Sequence, residues 1–154
     1  MNILGIRVEP KKTNFVVLGK VNGQFEVINS EVIKVPSALD FPEKLKYIRN
    51  CVLDILREYS IFYAGIRVAE ANTQNLDITR LHIEGVVQEA FSSSNVGGYF
   101  TGRKTSIAAR LNLKPKQLDA VFKGQRDFNG IVNWNILSRK NSREAALVAM
   151  VAVA

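Results

Sequence analysis

Residues 1–19, MNILGIRVEPKKTNFVVLG, decide how the rest of the chain is read. They hold two apolar runs, Ile3-Leu4-Gly5-Ile6 and Phe15-Val16-Val17-Leu18, on either side of a polar turn, Glu9-Pro10-Lys11-Lys12-Thr13-Asn14. Short β-branched runs bounded by Pro and Asn read as paired strands. Residues 24–35 form a third such run, after Asn22-Gly23, a dipeptide suited to the positive φ angles of a two-residue hairpin. The chain should open as a three-strand antiparallel meander whose first strand is apolar enough to lie centrally in a sheet.

Beyond a break at Val35-Pro36-Ser37, Asp40-Phe41-Pro42-Glu43 has the form of a helix start. Asp40 suits the N-cap, Pro42 the first turn, and Glu43 the capping-box position. Leu45, Ile48, Val52, Ile55 and Leu56 recur at three- and four-residue steps, the mark of a helix with one buried face. Residues 61–69, IFYAGIRVA, then read as a fourth strand, parallel to the first through a right-handed crossover. Residues 76–91 form a second helix with Leu81, Val86, Val87, Ala90 and Phe91 facing inward. Gly85 inside it costs about 1 kcal/mol relative to Ala, which suggests close packing against a neighbour. Tyr99-Phe100-Thr101 would be a short fifth strand, and residues 142–154 an Ala-rich, buried last helix capped by Asn141 or Ser142.

Composition narrows the class. A chain of 154 residues fits one domain, 1–154, with a core that needs no staples. One cysteine, Cys51, excludes an internal disulfide and a cysteine-rich zinc site, and the lone His82 excludes a cluster of histidine ligands. No signal peptide is visible and the apolar tail is too short to span a bilayer, so a cytoplasmic protein without a membrane partner is expected. The net charge of +7 is unevenly spread. Residues 101–144 hold ten Lys or Arg and three acids, whereas residues 1–100 hold eleven of each sign. Concentrated positive charge favours a polyanion, because each neutralised phosphate releases counterions.

The element order, with Ile6-Arg7-Val8-Glu9-Pro10 at the first turn and Val68-Ala69-Glu70-Ala71-Asn72-Thr73-Gln74-Asn75 after the fourth strand, resembles the ribonuclease H-like superfamily. Within it, the chain resembles Holliday-junction resolvases of the RuvC type. The resemblance implies an α/β fold: a mixed five-stranded sheet, antiparallel over β1-β2-β3 and then parallel, flanked by helices. It also implies a homodimer. It places the family's first metal-binding Asp on Arg7, its second-site Glu on Glu70, and its last-helix acids near Glu144.

Arg7 is the departure that matters. A guanidinium donates only and stays protonated at ordinary pH, so it cannot hold a cation. Two-metal phosphodiester chemistry needs several carboxylates around a cation pair. If activity survives, Glu70 and Glu144 would be the metal ligands, with Glu9 as substitute, and the cofactor would be Mg or Mn. Otherwise no cofactor is needed, and an Arg7–Glu70 ion pair would replace the metal site.

The basic third has two readings. Ala108, Leu111, Leu113, Leu118 and Val121 are spaced like the core of a helix-turn-helix DNA reader, with Pro115 opening the second helix. The same stretch fits the helix, turn and basic helix that follow the fifth strand in RuvC-like proteins. Either way Arg103, Lys104, Arg110, Lys114, Lys116, Lys123, Arg139 and Lys140 are the candidate phosphate contacts. Phe128 and Trp134 could stack on bases or pin a loop to the core. The favoured expectation is a nucleic-acid-binding pseudo-nuclease with DNA preferred over RNA. The alternatives are an active structure-selective endonuclease, a helix-turn-helix-like DNA binder, or a non-enzymatic subunit of a larger complex.

Overall fold

A computed structural model of the protein describes residues 1–72 and 74–153. Thr73 of the polar loop and Ala154 at the end of the expected last helix lie outside the described residues. β1 (Asn2–Val8), β2 (Lys12–Val21) and β3 (Gln24–Lys34) form the meander. α1 (Phe41–Glu58) leads to β4 (Ile61–Arg67), and α2 (Ile78–Ser93) to β5 (Gly98–Gly102). α3 (Lys104–Arg110), α4 (Pro115–Phe122) and α5 (Lys140–Val151) complete the chain. The sheet order is β3-β2-β1-β4-β5, antiparallel across β3, β2 and β1 and parallel across β1, β4 and β5. The expected mixed sheet is present, with β1 at its centre.

The first turn is tighter than expected. Glu9 N–H donates to Lys12 O at 2.8 Å, so β2 already begins at Lys12. Thr13 and Asn14 are therefore buried strand residues, and Asn14 lies opposite Arg7. The second hairpin turns at Asn22 and Gly23 with φ of 53° and 78°, both positive, as a two-residue hairpin that follows the sheet twist requires.

Strand side chains alternate between faces, and this splits the core in two. Leu4, Ile6 and Val8 of β1 pack with Ile48, Val52, Val87 and Phe91 of α1 and α2. Ile3 of β1, with Val16 and Leu18 of β2, packs with Leu118, Phe122 and Leu147 of α4 and α5. α1 starts with the capping box expected at Asp40: Glu43 N–H donates to Asp40 Oδ1 at 2.9 Å, and Asp40 N–H donates to Glu43 Oε1 at 3.1 Å. Such a cap stabilises a helix by about 1 kcal/mol.

α2 departs from expectation. Asp77 caps it by accepting from Arg80 N–H at 2.9 Å, and its inner face is Ile83, Glu84, Val87, Ala90 and Phe91. Leu81 is exposed, and a side chain at Gly85 would meet nothing within 4 Å, so Gly85 marks no close contact. α5 is buried almost all round, as its composition requires. Its N-cap is Arg139 rather than Asn141 or Ser142; Ser142 already lies in the first turn, where its hydroxyl donates back to Arg139 O at 2.7 Å. Two glycines let α5 lie directly on the sheet. A Cβ at Gly5 would overlap the carbonyl oxygen of Ala145, and one at Gly65 would sit 2.5 Å from that of Val148.

Candidate functional site: a carboxylate held between two arginines

The register of the sheet sets one row of side chains across three strands. Asn14 of β2 is paired with Arg7 of β1, and Arg7 with Arg67 of β4. By alternation all three point to the face covered by α5. The seat of α5 on Gly5 and Gly65 brings the buried Glu144 over this row. Glu144 Oε2 lies 3.3 Å from Arg7 Nε, and Oε1 lies 3.2 Å from Arg67 Nε. Arg67 Nη1 also reaches Glu70 Oε2 at 3.3 Å and donates to Val68 O. Arg7 Nη1 donates to Arg67 O at 3.1 Å.

The expected Arg7–Glu70 ion pair is therefore replaced by a chain: Arg7 to Glu144, Glu144 to Arg67, Arg67 to Glu70. The reason is geometric. Arg67 stands beside Arg7 at the end of β4 and takes the nearer carboxylate, three residues downstream. Two like charges side by side and nearly dry are costly unless countercharged. Glu144 supplies the charge for both. The Arg7 pKa is lowered to about 10, chiefly by burial and with help from Arg67 and Arg80, against the opposing pull of Glu144 and Glu84. Arg7 still carries its proton at neutral pH.

A second pair flanks the first. Glu84 of α2 accepts from Ala69 N–H at 3.0 Å and lies 3.3 Å from Arg80 Nε. Burial raises its pKa, opposed by Arg80, the Ala69 N–H, Arg7 and Arg67. Glu9 stays outside the row, because β1 ends at Val8. Its carboxylate accepts from Asn14 Nδ2 at 2.7 Å, and Lys12 Nζ is 3.9 Å away. Among the described residues no three acid, His or Cys side chains converge as metal ligands. Glu144 has both oxygens turned to guanidiniums. The residues present do not fit a pair of divalent cations.

The candidate phosphate contacts fall into groups. Arg103 and Arg139 join the carboxylate site: Arg103 Nε donates to Ala69 O at 3.3 Å, and Arg139 Nη1 donates to Asn14 Oδ1 at 2.9 Å. Lys114, Lys116 and Lys123 are exposed along α4, and Lys140 is exposed in the first turn of α5. Lys104 is paired with Asp119 at 2.9 Å. Arg110 is engaged elsewhere: it stacks on Phe100 at 3.8 Å, and its Nη1 donates to Val151 O at 2.7 Å, where a cation complements the C-terminus of α5. Trp134 is buried with its ring 5.1 Å from that of Phe128, so of the two roles considered for these aromatics the structure shows the loop pin.

Sequence reasoning overlooked Arg67, Glu84, Asn14 and Arg80. For Arg67 the signal was in plain view. Gly5-Ile6-Arg7-Val8 recurs as Gly65-Ile66-Arg67-Val68, and the first three residues of each word pair in the parallel ladder. The repeat supplies two glycines that admit α5 and two arginines that share its carboxylate.

No protein-family model and no curated protein matches the sequence. Solved structures are similar in fold. RuvC of Thermus thermophilus superposes with a TM-score of 0.72 at 15% identity, over 98% of this chain and 92% of that one. The same enzyme in complex with a Holliday junction substrate gives 0.71 at 16% identity, over 98% and 92%. The yeast mitochondrial Holliday junction resolvase gives 0.58 at 12% identity, over 96% and 77%. Sheet order, crossover and helix placement together give this chain the RNase H-like fold in its RuvC form.

Proposed function

We propose that this protein binds nucleic acid, DNA in preference to RNA, without cutting it. The observation that carries the reading is Glu144 held by Arg7 and Arg67 where a metal-dependent nuclease needs free carboxylates. Each guanidinium brings a fixed positive charge to the place where a cation would sit, so cation pair and arginine pair exclude one another. Binding itself does not need the metals. Arg103 and Arg139 frame the carboxylate end of the sheet, and Lys114, Lys116, Lys123 and Lys140 extend the positive surface onto α4 and α5. Backbone phosphates are read by such arrays with little regard to base sequence. The fold likeness to a RuvC solved on a Holliday junction favours DNA, and branched DNA first.

The test is a salt titration of binding to a labelled four-way junction, with parallel incubation in Mg²⁺ or Mn²⁺. Binding should weaken steeply with salt, each neutralised phosphate adding about 0.9 to the slope of log K against log salt. The junction should remain intact. No binding at low salt would overturn the reading. Metal-dependent cleavage that Glu70→Ala abolishes would replace it with an active endonuclease using Glu70, Glu144 and Glu9.

A further inference from the structure

The face of the sheet away from the arginine row carries a cleft of about 410 Å³. It is bounded by the β1–β2 turn, the link from β3 to α1, and the N-terminal turns of α1 and α2. Sites for small organic ligands run to about 300–1,000 Å³, so there is room here for a molecule rather than a single ion. The cleft lies past the carboxyl end of β1, where open α/β sheets gather ligands.

Its floor is hydrocarbon. Phe41, Lys44 and Ile48 recur at three- and four-residue steps and so share one face of α1. Ile83 of α2 and Val35 of the link close the floor between them. The capping box at Asp40 fixes the first turn of α1, and the Phe41 ring meets His82 edge-on at 5.5 Å. Water gains nothing against such a floor, whereas an apolar body does.

Its mouth is cationic. The tight turn closed by Glu9 N–H and Lys12 O sets Lys11 and Lys12 on one side, and Lys44 stands on the other. Among the described residues no carboxylate lines the cleft. The nearby acids are turned elsewhere. Asp40 accepts from Glu43 N–H and Asp77 from Arg80 N–H, each as a helix cap. Glu9 accepts from Asn14 and reaches Lys12 only at 3.9 Å. Lys11 and Lys44 make no ion pair among the described residues. These lysines lie outside the basic C-terminal third, and nucleic-acid binding through α4 and α5 leaves them without a role.

We propose that this cleft binds a small amphipathic anion: an apolar body seated on Phe41, Ile48 and Ile83, with a phosphate or carboxylate head held by Lys11, Lys12 and Lys44. The charge at the mouth selects the head, and the floor selects the body. Neither half suffices, because a bare anion leaves the floor unfilled and a neutral hydrocarbon leaves the three ammonium groups unanswered.

The test uses the full chain and the fluorescent probe anilinonaphthalene sulfonate, which has an aromatic body and one anionic head. The probe should bind saturably, one per chain. Lys44→Gln should weaken it about tenfold or more, the loss expected for one charged contact. Thr79→Trp, at an exposed position on the wall of the cleft, should block it. Lys46→Gln, the same charge change on the same helix but outside the cleft, should leave it unchanged. Competition then sorts the chemistry. Displacement by decanoate assigns an acyl carboxylate, and displacement by deoxyadenosine monophosphate a ring with a phosphate. Inorganic phosphate and decanol should fail, since each supplies one half only. Displacement by either of those two, or equal probe binding by Lys44→Gln and the wild type, would overturn the proposal. So would displacement by a four-way junction and by neither small anion, which would give the three lysines to nucleic acid.

Discussion

Arg7 and Arg67 are cross-strand partners that share one carboxylate. Their residues pair in the parallel ladder of β1 and β4, and Glu144 places Oε2 3.3 Å from Arg7 Nε and Oε1 3.2 Å from Arg67 Nε. Side-chain exposure is 2% for Glu144 and 4% for Arg67, so water screens little of this interaction. Removing the shared carboxylate leaves two buried charges with weaker compensation. Glu144→Gln should therefore cost about 3–5 kcal/mol, read as a fall in the urea midpoint. Glu70→Gln, whose side chain is 31% exposed, should cost less than about 1 kcal/mol. Equal effects would mean that Glu144 is not the hub.

The contrast between the two acids shows what the sequence can and cannot disclose. Element order and the central place of β1 follow from hydrophobic period and turn chemistry, which act locally. So do the Asp40 cap and the hairpin at Asn22-Gly23. The departure at Arg7 is legible because the resemblance expects an acceptor where the sequence has a guanidinium. The partner of Arg7 is not legible, since it depends on how far α5 sinks onto the sheet, a relation between residues 5 and 145. Glu84 was lost for a similar reason: an acid on a helix reads as a solvent-facing position until its neighbour Ala69 N–H and the pairing with Arg80 are seen.

The depth of α5 has its own test. Gly5 has no side chain where the Ala145 carbonyl sits, and a methyl group there must push back backbone rather than a flexible tip. Gly5→Ala should destabilise the protein by about 1–3 kcal/mol or more, the usual range for overpacking. It should also carry Glu144 away from the arginines. Gly85→Ala is the control: its added methyl meets nothing within 4 Å, and it should stabilise α2 by up to about 1 kcal/mol. Thermal melts of the two variants should move in opposite directions. A Gly5→Ala protein as stable as the wild type would show that α5 does not rest on β1.

If the Arg7 charge takes the place of a cation, replacing it with an acid should create a need for one. Arg7→Asp would set a third carboxylate beside Glu144 and Glu70, with Arg67 the one close counter-charge left in the row. The variant should melt well below the wild type in EDTA and recover as Mn²⁺ is added. A site filled at a hundred times its Kd returns about 2.7 kcal/mol. The wild type should show no such rise with Mn²⁺. A variant indifferent to Mn²⁺ would sink the idea that guanidinium and cation are interchangeable at this position.

Glu84 sets the pH dependence of the same end of the sheet. Burial raises its pKa above the ordinary 4.5, against the pull of Arg80, the Ala69 N–H, Arg7 and Arg67. The folded protein therefore holds this proton more tightly than the unfolded chain does. Its contribution to stability is fully present below about pH 4.5 and is lost as pH rises through the folded value. Glu84→Gln keeps an oxygen for the Ala69 N–H and removes the titration. Measured by thermal melts from pH 4 to pH 8, the variant should gain on the wild type as pH rises, and the difference should level off once Glu84 is ionised. The reverse trend, with the wild type gaining as pH rises, would mean that the three arginines outweigh burial and hold Glu84 ionised from the start.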